Sequence, residues 1–264
     1  MTFIGKLSTQ QRTGAVILGC LALFAVAEMF LFSIDGNQQF LAQAFASPDW
    51  QAPLGRDQFG RNMFARLAGG LRISFTLSLV CVVTSAVLGV LAGVAAAWRG
   101  GWFDNVLNFF ANTILALPGL VLILVFAAVV PGSFVMIYLA ISLVLWVEYF
   151  RLVRAIALNQ VASPALQSSM LMGFGKFYLF RRHIWPALKA DVFSLAAFGA
   201  ATSVVAMSSV GFVYVGLKPP TPELGLMIVE LFPYYHEAPW LLLEPISLLF
   251  LIVLGFHLLA GKAR

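Results

Sequence analysis

Charged side chains are scarce in this sequence: Asp, Glu, Lys and Arg together make up 10% of 264 residues. A soluble domain ordinarily carries about 25%. So few charges cannot cover a water-facing surface, which excludes an ordinary soluble fold. Cysteine is also rare. Cys20 and Cys81 are the two present, each inside an apolar run without a near neighbour, so no disulfide framework is expected. The three histidines, His183, His236 and His257, fall on separate segments. No Cys/His spacing suggests a metal site. The GxxxxGK[ST] phosphate loop is missing: Gly261-Lys262 is followed by Ala263, and the upstream glycine spacing is wrong. His236-Glu237 stands alone rather than in an HExxH motif, and no nucleophile–base pattern is visible. The chain is therefore expected to supply no catalytic residue, to bind no cofactor and to bind no ATP by itself.

What the sequence has in abundance is apolar length. Hydrophobic residues make up 61%, in runs long enough for several helices of about 20 residues each. The reading is an all-α integral membrane protein with six spans, forming one domain over 1–264. The spans are placed at 14–34, 73–98, 106–130, 133–150, 192–217 and 240–260. The first resembles a signal peptide, with Ala25-Val26-Ala27 as a cleavage-like site, but the run continues beyond it and is read as a retained helix. Gly89 and Gly93 form a small-xxx-small pair that lets another helix approach closely. Pro118 should kink the third span. Trp98, Trp102 and Trp240 suit interface anchors.

A net charge of +5 does not point to nucleic acid here, because the positives lie in loops beside apolar runs. With both termini inside, the cytoplasmic segments hold Lys6, Arg12, Arg99, Arg151, Arg154, Lys176, Arg181, Arg182, Lys189, Lys262 and Arg264. The outer segments hold Arg56, Arg61, Arg66, Arg72 and Lys218. The excess inside fits the positive-inside rule. The first outer loop runs against it with four arginines, and Asp35, Asp49 and Asp57 are available there as partners. Glu28 sits well inside the first span. An intramembrane carboxylate is a functional candidate by default, and a subunit-facing group with a polar partner is the equal alternative. Glu244 lies near the outer edge of the last span, where water can reach it.

The segment 151–189, between spans four and five, is too long for a simple connector. It reads as helix, glycine break, helix, proline stop. Leu166, Met170, Leu171, Phe174, Phe177 and Tyr178 give it an apolar surface, and Lys176, Arg181 and Arg182 give it charge. Such a knob could fit a groove on a partner. A basic loop held by anionic lipid is the less favoured alternative.

That loop resembles the cytoplasmic coupling loop of ABC importer permeases, whose pattern is Glu-Ala-Ala, three residues, Gly, about ten residues, then Ile-x-Pro. Gly173 fits the glycine, followed by Phe174. Ile184-Trp185-Pro186 fits the tail, with His183 before it. Gln167 fills the acidic position, and Ser168 and Ser169 fill the two alanines. Two further segments resemble the dipeptide/oligopeptide/nickel permeases. Leu54-Gly55-Arg56-Asp57-Gln58-Phe59-Gly60-Arg61-Asn62 is similar to Leu-Gly-Thr-Asp-x-x-Gly-Arg-Asp. Gly216-Leu217-Lys218-Pro219-Pro220-Thr221-Pro222-Glu223-Leu224-Gly225 is similar to Gly-x-x-Pro-Pro-x-Pro-x-x-Gly. Ala238-Pro239-Trp240 also fits. The match runs from about Leu54 to the end and is closest to the second, C-type permease of the pair.

The resemblance implies a non-catalytic permease half in a bacterial cytoplasmic membrane. Its implied partners are a second homologous permease chain, two ATPase subunits that hold ATP and Mg, and an extracytoplasmic binding protein that delivers the solute. For Arg56, Asp57 and Arg61, a local ion-pair and turn network is favoured over contact with that binding protein. The cargo is expected to be a short peptide or a metal chelate. The chain stops at Arg264 without the family's usual short tail, which leans slightly towards nickel or a metallophore. The rival reading is an ion-coupled secondary transporter using Glu28.

Overall fold

A computed structural model describes residues 8–32 and 34–261. Lys6, Lys262 and Arg264 lie outside them. Ten α-helices follow in order: α1 Thr9–Ala27, α2 Met63–Arg99, α3 Gly101–Leu115, α4 Gly119–Val129, α5 Phe134–Val161, α6 Pro164–Leu171, α7 Lys176–Leu179, α8 Trp185–Phe212, α9 Leu224–Leu231 and α10 Pro239–Ala260. Among the described residues the fold is helical, with one isolated β-bridge, Arg56 to Asn62. Among the described residues five helices are long and apolar enough to cross a membrane, and α3 with α4 can count as a sixth, broken span.

The spans depart from the sequence reading at their ends. The second begins at Met63 rather than residue 73. Arg66 and Arg72 read as loop residues because they are charged, yet both are helical and held by carboxylates. The third is broken rather than kinked: α3 and α4 meet at 82°. Pro118 caps α4 in an extended conformation and cannot donate to the preceding turn. The fourth continues eleven residues past 150, to Val161, so the first part of the expected 151–189 loop is helix. The fifth is entered by a continuous helix from Lys176 to Phe212. Pro186 does not stop it. Phe180–Ile184 forms a widened π turn, in which the Trp185 N–H donates to the Phe180 carbonyl, and Pro186 falls in the first turn of α8.

The bundle is held by close backbone approach. Cys81, Ser85, Gly89 and Gly93 recur every four residues on one face of α2 against the parallel α5. The Ser85 hydroxyl donates to the Ser142 carbonyl at 2.9 Å. A Cβ on Gly89 would collide with Tyr149 Cβ, and one on Gly93 would stand 2.9 Å from Val153 Cβ. The pairing is that of small-residue membrane interfaces. α1 and α10 meet in the same way at Gly14 and Gly255. Near that crossing the Gln11 amide donates to the carbonyls of Leu259 and Gly261. Cys20 is exposed and Cys81 buried, and both are free thiols.

Candidate functional site

Three places gather the residues singled out in the sequence. The first is the paired-helix loop. Ser163 caps α6, its hydroxyl accepting from the Leu166 N–H, and Pro164 occupies the first turn. α6 ends in a Schellman arrangement: the Gly173 N–H donates to the Met170 carbonyl and the Phe174 N–H to the Ser169 carbonyl. This closure needs a left-handed residue, and Gly173 has φ of 82°. Leu166 roots the loop in a core with Val153, Ala157, Leu179, Ile184 and Leu188.

Ser169 is buried and bonds His183 Nε2 through Oγ at 3.0 Å, tying α6 to the π turn. Gln167 and Ser168 face outward, as do Lys176, Arg181, Arg182 and Pro186. Between them stands an apolar crown. Leu171 is 91% exposed and Phe177 76%, with Met170, Met172, Phe174 and Tyr178 also exposed. Phe174 and Tyr178 stack with centroids 4.3 Å apart. Beside the loop, Arg154 of α5 makes a two-pronged pair with Asp104 of α3.

At the opposite end the two other motif segments pack together into one cap. Asp57 organises the first. Its carboxylate accepts from the N–H groups of Phe59 and Arg61 and pairs with the Arg61 guanidinium. Gly60 has φ of 70°, and a Cβ there would collide with the Phe40 carbonyl. Gly55 is also left-handed, at 77°, and Leu54 packs against the core beneath. Arg61 and Arg66 both reach Glu230 of α9, at 3.2 and 3.1 Å, and Arg66 lies 3.5 Å from Asp57. Arg66 also donates to the Pro220 carbonyl, beyond a cis Pro219–Pro220 bond. Pro222 rests on Gly69. Asp35 and Asp49 pair with no arginine among the described residues and instead accept from backbone N–H groups of their own turns.

Glu230 escaped the sequence reading, and Glu223 entered it only as a variable position of the proline-rich motif. Glu230 is the one charge in the apolar run Leu224–Pro233, a signal that was available. Glu223 is buried at the start of α9, accepting from the N–H groups of Gly225 and Leu226 and from the Ser208 hydroxyl. Burial holds its carboxyl above the ordinary carboxylate range, against those three bonds, which favour the ionised form.

The third place is Glu28. It is 2% exposed and starts a π turn, Glu28–Phe32, at the end of α1. It pairs with Arg72 of α2 at 2.6 Å, and Arg72 also donates to the Ala25 carbonyl. Among the described residues, no group of three His, Cys, Asp or Glu is placed to hold a metal ion.

Apolar helices joined by an interlocked charged cap at one end, with an exposed helix pair at the other, define a multi-pass membrane protein. Residues 85–261 match the family model described as binding-protein-dependent transport system inner membrane component. The dipeptide transport system permease protein of Haemophilus influenzae is 28% identical over 257 residues, covering 95% of this chain and 87% of that protein. The glutathione transport system permease protein of Pectobacterium atrosepticum is 27% identical over 258 residues; that match takes in 95% of this chain and 85% of that one. The nickel transport system permease protein of Escherichia coli is 27% identical over 253 residues, with 96% and 91% covered. The chain belongs to the binding-protein-dependent transport system inner membrane component family: it is a transport permease rather than an enzyme.

Proposed function

We infer that this chain is one of two permease halves of an ATP-driven importer, working with a homologous permease, two ATPase subunits and an outside binding protein. The observation that carries this is the exposed apolar crown on the Schellman-closed α6–α7 pair. A rigid knob rooted by Leu166 and bearing Leu171, Phe174 and Phe177 suits a groove on a moving partner. Movement of that partner is passed through α5 and the continuous 176–212 helix as a rocking of the spans. ATP and Mg belong to the partner ATPases. The Gln167-Ser168-Ser169 sequence replaces a charged contact with a polar one, and Ser169 serves inward, on His183.

Both termini then lie in the cytoplasm of a bacterial inner membrane, and the interlocked cap faces the binding protein. The named activities of the relatives support a short peptide or a metal chelate as cargo. A secondary transporter built on Glu28 is less well supported, because that carboxylate is already paired with Arg72.

Co-purification from cells producing the whole transporter tests the coupling. The intact chain should retain the ATPase through washing. Gly173→Val should lower solute-stimulated ATP hydrolysis at least about tenfold while the protein remains in the membrane, since a β-branched residue cannot hold the left-handed closure. Retention of full stimulation by Gly173→Val, or an ATPase that never co-purifies, would refute this reading.

A further inference from the structure

Where α4, α5, α8 and α10 meet, a groove of about 300 Å³ opens along the side of the bundle. Its floor is apolar, with Ile123 and Leu145, but four polar groups converge on it from three helices: Glu148 of α5, Thr202 and Ser209 of α8, and His257 of α10. Glu148 lies fourteen residues along α5 from Phe134, about 21 Å at 1.5 Å per residue. That depth is inside a hydrocarbon layer about 30 Å thick, where a carboxylate facing lipid is costly.

The Glu148 side chain is exposed and, among the described residues, takes part in no hydrogen bond or ion pair. Arg151, one turn further on, turns instead to the Asn112 side-chain oxygen at 2.6 Å. Glu28, Glu223 and Glu230 all have partners within the fold. Glu148 is thus a negative charge held at membrane depth and left uncompensated by its own chain, in a groove with hydroxyls along its wall. Lipid cannot satisfy such a group; water and a passing solute can.

We propose that this groove is the chain's share of the wall of the solute path, and that Glu148 selects a solute carrying a positively charged group. The proposal rests on the permease reading and adds to it the charge class of the cargo. A low-dielectric wall focuses the field of a single carboxylate and raises the local concentration of cations. Thr202 and Ser209 then offer hydroxyl oxygens along the same wall.

The test uses thiol reagents of opposite charge on Thr202→Cys in a Cys20→Ser, Cys81→Ala background. The chain is kept in membrane vesicles from cells producing the transporter. The probes are the trimethylammonium-ethyl and sulfonatoethyl methanethiosulfonates, each normalised to its rate on a free thiol. Both should react, with the cation favoured about tenfold. Adding Glu148→Gln should bring that ratio to about one, whereas Glu148→Asp should keep it. Protection from both reagents would mean that lipid or another chain covers the groove, and would overturn the proposal. A ratio near one with Glu148 intact, or one unchanged by Glu148→Gln, would overturn it equally. The readout needs no ATPase. A failed co-purification with a tenfold ratio would therefore refute the coupling and leave the path, and the reverse pair of results would refute only the groove.

Discussion

Asp57, Arg61, Arg66 and Glu230 form a buried ring of two anions and two cations, with exposures between 1% and 11%. Such rings hold because every charge is answered. Removing one member leaves one buried charge of the opposite sign in excess, which costs about 3–5 kcal/mol. Glu230→Ala is therefore expected to lower the thermal denaturation midpoint in detergent strongly. Asp35→Ala, which only loosens an exposed turn, should leave the midpoint almost unchanged. At α9, Glu223→Ala strips the acceptor from two buried N–H groups and the Ser208 hydroxyl. Loss of such a cap costs about 1–2 kcal/mol, visible as a smaller drop in the same measurement. Asp57 and Arg61 were legible in the sequence as part of a motif. Glu230, the carboxylate that Arg61 shares with Arg66, lies 169 residues beyond Arg61, and nothing local connects them.

Among the elements, the α2–α5 contact shows how a sequence pattern becomes a packing surface. The Gly89 and Gly93 pair announced a close neighbour without saying which helix it was. Only the fold identifies it as α5, in parallel, with Cys81 and Ser85 extending the same stripe. Gly89→Leu should push α2 away from Tyr149, which a Cβ alone would already strike. Overpacking of this kind costs about 1–3 kcal/mol or more. The expected outcome is a lowered yield of folded protein by size-exclusion chromatography, with Gly19→Leu as control because a Cβ there meets nothing within 4 Å. Helix ends were the least legible feature. Arg66 and Arg72 argued for a loop on charge alone, and a helix became possible there only because Glu230 and Glu28 arrive to pair them. Pro186 argued for a stop, and the π turn before it allows the helix to continue.

For the whole molecule, the proposed orientation places the 151–189 segment and Lys218 on opposite sides. Phe177→Cys should react with an impermeant maleimide only in inverted vesicles, and Lys218→Cys only in intact cells, in the background without native thiols. Both positions are exposed on this chain, and the labelling is done with the chain produced without the ATPase that the Phe177 crown is proposed to meet, so a silent result cannot be put down to burial. The reversed pattern would invert the topology and place the cap in the cytoplasm. Once Arg66 and Arg72 are taken into α2, the first outer loop keeps Arg56 and Arg61, both buried. The loop's conflict with the positive-inside rule therefore shrinks.

Composition alone determined that this chain lives in a membrane, because 10% charge cannot solvate a surface and the apolar runs match a bilayer's thickness. Local chemistry determined the helix–glycine–helix loop, since only Gly173 takes the left-handed turn there without cost. The tertiary structure decided which charges are structural and which are free. Ion pairing depends on groups brought together across long stretches of chain, and sequence spacing carries no record of that. Glu28, the carboxylate that stood out in the sequence, is answered by Arg72. Glu148, inside the span placed at 133–150, stands in the groove without such a partner among the described residues.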